Sequence, residues 1–379
     1  MEIEQSRWTQ AQGWMPKTSE TFGIKAQLVF SFGATSILKD GKLMKEVKSK
    51  YPNAITFGCS TSGEIYDTQV TDESLVITAI QFEHTEIAGA QISLEQTQDS
   101  FDAGKQLAEK LNHNGLSHVI VLSDGLAVNG SNLVRGLTKY LPDHVTITGG
   151  LAGDGANFNE TFVVWNDKIE KNAITVLGLY GNRIKIGFGS LGGWDPFGPQ
   201  RLITRSKNNI LYELDGFSAL ELYKKYLGEH AKDLPASGLL FPLCLRINTD
   251  DVGVVRTILA VNEKENSLTF AGDVPEGAYA QLMKANFDRL IDGATGAAQT
   301  SFRAIGSKTP ELAILISCVG RKLVLKQRIE EEIEGVRDVL GDSAVLTGFY
   351  SYGEISPFTP NAKCELHNQT MTITTFLEE

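Results

Sequence analysis

Residues 54–65 read Ala54-Ile-Thr-Phe-Gly-Cys-Ser-Thr-Ser-Gly-Glu-Ile65, a short apolar run that ends in glycine and hydroxyl residues. A close copy returns at Ala344-Val-Leu-Thr-Gly-Phe-Tyr-Ser-Tyr-Gly-Glu-Ile355, and a looser copy occurs at Val145-Thr-Ile-Thr-Gly-Gly-Leu-Ala-Gly-Asp-Gly155. An internal repeat of this kind indicates several supersecondary units of one type. The pattern is typical of a buried strand whose carboxyl end enters a small-residue loop.

Each copy is preceded by another apolar strand and by a segment with helical spacing. The predicted opening strands are Ala26–Gly33, His118–Gly125 and Glu311–Gly320. The predicted helices are Ser36–Tyr51, Gly130–Leu141 and Leu325–Leu340, with Glu330, Glu331, Glu332 and Glu334 on or near the exposed face of the third. Strand, helix and strand in this order predict a parallel βαβ unit, here repeated three times.

The rest of the chain alternates apolar and polar residues and predicts antiparallel strands. The sequence therefore predicts an α/β fold with mixed parallel and antiparallel sheets. A chain of 379 residues is long enough for two hydrophobic cores. We expect a lead-in at 1–23, an N-terminal domain at 24–225 and a C-terminal domain at 226–379, divided near the polar segment 228–237.

Composition excludes several functional classes. A net charge of -11 and a pI near 5.2 repel nucleic-acid phosphates and anionic membranes, so neither is expected as a partner. The four cysteines show no CxxC pair or zinc-type spacing with histidine. The N-terminus lacks the pattern of a secretory signal, and no apolar run reaches the ~20 residues of a membrane span. These features predict a cytoplasmic protein.

Four segments in combination resemble the FIST family. They are the loop Gly58-Cys-Ser-Thr-Ser-Gly-Glu-Ile65, the segment Gly193-Trp-Asp-Pro-Phe-Gly-Pro199 with Leu211–Ala219, the turn Ser317-Cys-Val-Gly-Arg321, and the ending Leu366-His-Asn-Gln-Thr-Met371. The resemblance covers nearly the whole chain. It implies a non-enzymatic sensory input module with small metabolites such as amino acids as ligands. No kinase, phosphodiesterase or membrane anchor accompanies it, so a separate signalling protein is expected to read the signal.

Members of about this length also resemble bacterial haem-binding proteins that sense nitric oxide and report to a histidine kinase. The resemblance thus implies haem as a cofactor and a histidine kinase as a partner, although composition and spacing show neither. A haem-free sensor of amino acids or other small metabolites is the alternative. Association into a homo-oligomer is left open.

The loops at the strand ends supply the predicted ligand-binding residues, because open α/β sheets bind ligands at the carboxyl ends of their strands. These residues are Ser60, Thr61, Gly63, Glu64, Asp154, Trp194, Cys318, Arg321, Tyr350, Tyr352 and Glu354. The Arg321 fork can clamp a carboxylate, while Glu64 and Glu354 can bind an amine. Alternatively, these three charges pair with each other. Trp194, together with Phe197, forms either an aromatic wall for a flat ligand or a packing patch.

An enzymatic alternative rests on Ser60 and Cys318. Ser60 lies in a GxSxxG sequence, which differs from the GxSxG elbow of hydrolases. Cys318 is either a thiolate activated by Arg321 or an inert buried thiol. Of the six histidines, only His367 lies in a family motif, and it is either a haem axial ligand or a structural residue bonded to backbone. The other five, His118 among them, are predicted at surface positions.

Overall fold

The computed structural model of the protein describes residues 1–17, 19–248, 253–358 and 362–379, and for residue 20 the backbone alone. Within these residues the strands are β1 Glu2–Thr9, β2 Gly13–Met15, β3 Leu28–Gly33, β4 Ile55–Ser60, β5 Glu64–Tyr66, β6 Gln69–Thr71, β7 Ser74–Gln81, β8 Glu86–Ser93, β9 Leu116–Ser123, β10 Thr146–Leu151, β11 Val163–Trp165, β12 Lys168–Glu170, β13 Ala173–Tyr180, β14 Ile184–Leu191, β15 Trp194–Lys207, β16 Ile210–Leu214, β17 Phe217–Ser218, β18 Leu243–Arg246, β19 Val254–Arg256, β20 Ile258–Asn262, β21 Ser267–Phe270, β22 Tyr279–Ala285, β23 Leu312–Cys318, β24 Val345–Ser351, β25 Gly353–Pro357, β26 Cys364–His367 and β27 Met371–Glu378.

The α-helices in the same ranges are α1 Glu20–Lys25, α2 Thr35–Asp40, α3 Lys42–Lys50, α4 Ser100–Lys110, α5 Gly130–Tyr140, α6 Ala219–Leu227, α7 Phe287–Ala304, α8 Val319–Leu325 and α9 Ile329–Leu340. Short 3-10 helices occupy Leu94–Gln96, Gly228–Asp233, Ala236–Leu240 and Lys326–Arg328.

Three α/β units of the same design form the body of the molecule. Their parallel strand pairs are β3 with β4, β9 with β10, and β23 with β24. In each unit an antiparallel strand flanks the first strand of the pair, namely β7, β13 and β27. The predicted α/β fold with mixed sheets and a threefold βαβ repeat is thus confirmed.

The three units exchange short strands in a cycle. After the parallel pair of the first unit, β5 joins β24 of the third unit. In the third unit, β25 joins β10 of the second, and in the second, β11 joins β4 of the first. Each unit therefore completes the sheet of another, which ties chain segments about 280 residues apart into one body.

A shared apolar core fills the space between the three sheets. Phe30 and Phe32 from β3 meet Ile120 from β9 and Ile316 from β23 in one buried cluster. The Phe32 ring lies 4.8 Å from that of Phe349, centroid to centroid. Each fully buried side chain of this kind contributes about 1.5–3 kcal/mol, so this core holds the three units in a fixed relation.

A fourth sheet lies outside this body, with the order β19-β18-β22-β15-β16-β21-β20 and β17 paired to β16. It has its own apolar cluster, in which Tyr223 and Leu227 of α6 pack against Phe270 and Leu282. Strands from both sides of residue 225 pair here, as they do in the sheets that contain β10 and β24. The chain therefore crosses between sheets several times on either side of the predicted domain boundary.

Two predicted helices are broken in the structure. Gly41, with φ at 69°, ends α2 and begins α3 within the predicted helix 36–51. Lys326, with φ at 50°, separates α8 from α9 within the predicted helix 325–340. A left-handed residue interrupts the helical hydrogen bonds, and glycine takes that conformation at little cost.

Two predicted surface residues are buried. Glu332 lies on the inner face of α9, and the expectation that it is exposed was wrong. His118 lies within β9, where Thr146 Oγ1 and Thr148 Oγ1 contact its two ring nitrogens at 2.6 and 2.9 Å. Burial lowers the pKa of His118 to about 3, so the ring is neutral. The surface prediction for His118 was wrong because β9 includes this polar residue and another unit covers its side chain.

Candidate functional site

The three repeated loops meet in a closed ring of backbone hydrogen bonds. The amide of Ser62 donates to the carbonyl of Tyr350 at 2.8 Å, and the amide of Gly153 donates to the carbonyl of Ser60 at 2.9 Å. The amide of Tyr352 donates to the carbonyl of Leu151 at 3.2 Å. We call these six residues the strand-tip ring. Because these backbone groups are paired with each other, the ring is a closed hub without room for a ligand inside it.

A polar cavity of about 710 Å³ lies next to this ring, and we call it the strand-tip cleft. Its walls come from α2, the turn between β6 and β7, the loop after β4 and the loop after β10. The lining residues are Ala34, Thr35, Ser36, Lys39, Thr61, Ser62, Gly63, Glu64, Asp72, Glu73, Asp154, Gly155, Asn157, Asn159 and Glu160. Of the predicted ligand-binding residues, the structure brings Thr61, Gly63, Glu64 and Asp154 together here.

Asp154 organises the loop after β10. Its carboxylate accepts hydrogen bonds from the amides of Phe158, Asn159 and Glu160 at 2.8–2.9 Å, and also from the Tyr352 hydroxyl. The Tyr352 ring stacks on that of Phe158 at 4.5 Å. Asp154 therefore shapes the wall of the cleft and carries a negative charge at its edge.

Glu64 and Glu354 occupy equivalent buried positions in two units. Glu64 accepts from the Thr61 hydroxyl at 2.5 Å and from the amide and hydroxyl of Ser74. Glu354 accepts from the Ser351 hydroxyl at 2.7 Å and from the amide and hydroxyl of Thr370. Both side chains are almost fully buried, so each pins a loop to the following strand.

Burial raises the pKa of Glu64 to about 7 and that of Glu354 to about 8. The hydrogen bonds lower both pKa values, but by less than burial raises them. The folded protein thus holds these protons more tightly than the unfolded chain. Their contribution to stability is complete below about pH 4.5 and is lost as the pH rises through 7 and 8.

We therefore expect the variants Glu64→Gln and Glu354→Gln to flatten the fall in unfolding free energy between about pH 5 and pH 9. A glutamine amide keeps most of the hydrogen bonds without a titrating charge. Each change should remove roughly 3 kcal/mol of pH dependence. Urea denaturation across this range measures the effect, with the exposed Glu334→Gln as control. Equal slopes in all three variants and the parent protein would contradict the assignment.

The cleft has an excess of negative charge. Lys39 and Lys171 contact Glu160, and Lys322 contacts Asp72. In the part of the chain that the structure describes, no cation lies within ion-pair distance of the three other lining carboxylates, which are Glu64, Glu73 and Asp154. Such a surface favours a ligand that carries a positive charge.

Lys322 links the cleft to α8. Its Nζ donates to the carbonyl of Ser62 at 2.8 Å and contacts the carboxylate of Asp72. A smaller cavity of about 450 Å³, lined in part by Lys322, shares Ser62, Asp72 and Gly155 with the cleft. Lys322 therefore lies between the strand-tip cleft and this smaller cavity.

Sequence reasoning missed Asp72, Glu73, Lys39 and Glu160 as cleft residues, and Lys322 as their neighbour on α8. They lie in a helix or a turn outside the repeated motif. Asp72 and Glu73 follow β6, a strand of only three residues whose partner β5 belongs to another unit's sheet. The acidic pair before β7 was the available signal, since it follows the first repeated loop after one short strand.

The remaining predicted residues do not line the cleft. Ser60 is fully buried, and its hydroxyl accepts from the amide of Phe162 at 2.9 Å. The Tyr350 hydroxyl donates to Glu332 at 2.7 Å. Ser60 thus lacks both exposure and a neighbouring base, and the structure does not support it as a nucleophile.

Arg321 has a structural partner in place of a ligand. Its Nε and Nη2 donate to Glu332 Oε2 at 3.0 and 2.7 Å, and its other bonds reach the carbonyls of Gly192 and Leu290. The side chain has no exposed surface. The interpretation of Arg321 as a ligand clamp is therefore corrected, and so is its suggested pairing with Glu64 or Glu354.

Trp194 and Cys318 are core residues. The Trp194 indole donates to the carbonyl of Gln369 at 3.0 Å and packs with Cys244 and Met283, so the packing patch describes it and the ligand wall does not. Burial raises the pKa of the Cys318 thiol far above its ordinary value. A thiol in that environment is protonated and unreactive, which removes the basis for a cysteine enzyme.

His367 does not fit the role of a haem ligand. Its Nε2 lies 2.9 Å from the carbonyl of Ser356, and the ring, 2% exposed, packs against Phe358. Burial lowers the pKa of His367 to about 4, so the neutral ring donates this bond. An axial ligand needs a free nitrogen that faces a haem-sized space. Haem binding through His367 stays an untested prediction.

No group of three or more His, Cys, Asp or Glu side chains arranged to hold a metal ion occurs within residues 1–17, 19–248, 253–358 and 362–379. Over the same ranges, no helix is both long and apolar enough to cross a membrane.

Comparisons with known proteins agree with this architecture. A model of the FIST N domain matches residues 27–217, and a model of the FIST C domain matches residues 219–357. An uncharacterized protein of Methanocaldococcus jannaschii is 26% identical over 349 residues, which covers 84% of this chain and 64% of that protein. The chain thus spans less than two thirds of that relative. A solved structure of cyanuric acid hydrolase from A. caulinodans shows 10% identity and a TM-score of 0.18, covering 78% of this chain and 99% of that one, and this likeness is too weak to carry an argument.

The repeated α/β body carries a polar cleft whose volume would admit a small molecule. By the two domain matches, the chain belongs to the FIST family. FIST domains are sensory domains that bind small ligands in signal transduction. This class favours a non-enzymatic role.

Proposed function

We propose that this protein is a sensor for a small cationic metabolite, such as an amine-bearing amino acid, that binds in the strand-tip cleft. The observation that carries the proposal is the acidic lining of the cleft, where Glu73 is exposed and neither Glu73 nor Asp154 has an ion-pair partner among the described residues. A volume of about 710 Å³ lies within the usual range of small-ligand sites, about 300–1,000 Å³.

Recognition uses charge at the rim and hydrogen bonds on the walls. Glu73 accepts a hydrogen bond from the Ser36 hydroxyl at 2.8 Å and otherwise faces solvent, so it can receive an ammonium group. The exposed side chains of Asn157 and Asn159 supply amide groups for the polar parts of a ligand.

Signal transfer begins at Asp72. An ammonium ligand competes with Lys322 for this carboxylate, and loss of the contact releases the link between the cleft and α8. A ligand shifts such an equilibrium only by its differential affinity for the two states. A separate signalling protein reads the change, and the family resemblance suggests a histidine kinase.

The test is a melting-temperature screen of the purified full chain with the standard amino acids and simple diamines as probes. We expect at least one amine-bearing probe to raise the melting temperature. Glu73→Gln and Asp72→Asn should weaken its binding by about tenfold or more, since each removes a charged contact. Glu334→Gln, an exposed change on α9, is the matched control.

The proposal fails if no amine-bearing probe binds, or if the cleft variants bind it as the parent does. An absorbance spectrum after addition of haem provides the competing outcome. A Soret band that His367→Ala abolishes would establish haem-dependent sensing in place of the amine proposal.

A further inference from the structure

A second cavity, of about 300 Å³, lies between α5 and β26 of the α/β body and β18 and β19 of the eight-stranded sheet. Its walls are mostly apolar. The apolar lining residues are Val134, Leu245, Ile247, Val254, Pro275, Ala278, Cys364 and Leu366. Cavities of this size at the junction of two structural layers are typical sites for small ligands.

Arg256 projects a buried positive charge onto this cavity. The residue is 7% exposed, its Nε donates to the carbonyl of Asp273 at 3.2 Å, and its Nη1 donates to the carbonyl of Leu366 at 2.9 Å. Within the described ranges, no carboxylate lies at ion-pair distance from it, and no acceptor engages its Nη2. Burial lowers the pKa of Arg256 to about 10, so the group is still charged at neutral pH. A buried charge without a directly paired counter-charge is costly, so an anion that reaches it gains a strong contact.

Two neighbouring acids on the cavity wall, Asp273 and Glu365, favour the charged form of Arg256, but neither lies within ion-pair distance of it. The Asp273 carboxylate already contacts Arg135 at 3.0 Å and the Asn129 amide at 2.9 Å. A second half-buried guanidinium, that of Arg246, also lines the cavity and has only the Gln281 amide oxygen as a side-chain partner, at 3.2 Å, among the described residues. Two arginines thus face an apolar space with available donors.

We propose that this cavity binds a small organic monocarboxylate with an apolar tail. The carboxylate accepts hydrogen bonds from Arg256 Nη2 and from Arg246, in the planar geometry that guanidinium groups offer. The tail packs against Val134, Leu245 and Leu366. This site is distinct from the strand-tip cleft and prefers the opposite charge. Because both layers contribute walls, an occupied cavity stabilises their present packing.

The experiment measures binding of hexanoate to the purified full chain by titration calorimetry, with 1-hexanol, hexylamine and inorganic phosphate as comparison probes. We expect hexanoate to bind at least about tenfold more tightly than each of the three, since only hexanoate satisfies both the guanidinium groups and the apolar wall. Arg246→Gln should weaken hexanoate binding by about tenfold or more. The exposed Arg303→Gln is the matched control.

Arg256→Lys retains the charge but loses the planar fork, and it should also weaken binding. If that variant does not fold, Val254→Phe tests the site independently, because the larger ring occupies the cavity and should abolish binding. The inference is overturned if hexanoate does not bind, if phosphate or hexanol binds equally well, or if Val254→Phe binds like the parent protein. Glu73→Gln should leave hexanoate binding unchanged, so failure here is separable from failure of the cationic-ligand proposal.

Discussion

Replacement of Arg321 by methionine should destabilise the protein by about 3–5 kcal/mol, the usual cost of removing one partner of a buried ion pair. The reason is the position of Glu332, which has no exposed surface and would be left buried without its cation. The carbonyls of Gly192 and Leu290 would also lose their donor. Urea denaturation at neutral pH measures the change in the free energy of unfolding.

The matched control is Arg328→Met. Arg328 makes a similar contact through two nitrogens with Glu331, the residue next to Glu332 on α9. Both of these side chains are open to solvent. Water and salt screen such a pair, so little change is expected. The double variant Arg321→Met with Glu332→Leu should recover much of the loss, because it removes the buried charge together with its partner. A small effect of Arg321→Met alone would show that the pair is not buried in solution.

The repeated units could be predicted from the sequence because their signals are local. Buried strands such as β3 and β23 are continuous apolar runs, and the second strand of each pair carries glycine at the same place. These patterns depend on neighbours a few residues away. The helical spacing placed α5 within one residue of its actual end.

The exchange of strands between units could not be predicted in this way. β5 is only three residues long, and its partner β24 lies about 280 residues further along the chain. The same limit explains Glu332. An acidic run at the start of a helix normally faces solvent, and only the tertiary position of Arg321 makes burial of one member favourable.

The sequence predicted only part of the candidate site, and the reason is similar. The repeated loops do converge, but their backbones close on each other in the strand-tip ring. Ser60, Tyr350 and Tyr352 therefore serve the hub, while the cleft lies to one side and takes part of its walls from α2 and the turn before β7. Equivalent sequence positions thus acquire different roles, because each unit is covered differently.

The glycine shared by the three strand pairs provides the last prediction. A Cβ atom added at Gly348 would lie 1.8 Å from the carbonyl oxygen of Leu315 on the paired strand, and one at Gly149 would lie 1.9 Å from that of Val121. Both obstacles are backbone atoms in the buried core, so neither can rotate away. We expect Gly348→Ala to lower the free energy of unfolding by about 3 kcal/mol or more, the upper end of the usual cost of adding atoms to a packed core. Urea denaturation measures this loss.

Gly115→Ala is the control. Gly115 has φ at 73° with no atom within 4 Å of the added Cβ, so its alanine variant carries conformational strain alone, about 1–2 kcal/mol. A clearly larger loss for Gly348→Ala isolates the cost of the close approach between strands. Equal losses would mean that the parallel pair can open slightly, and a ring that depends on three such pairs would then be less rigid than its hydrogen bonds indicate.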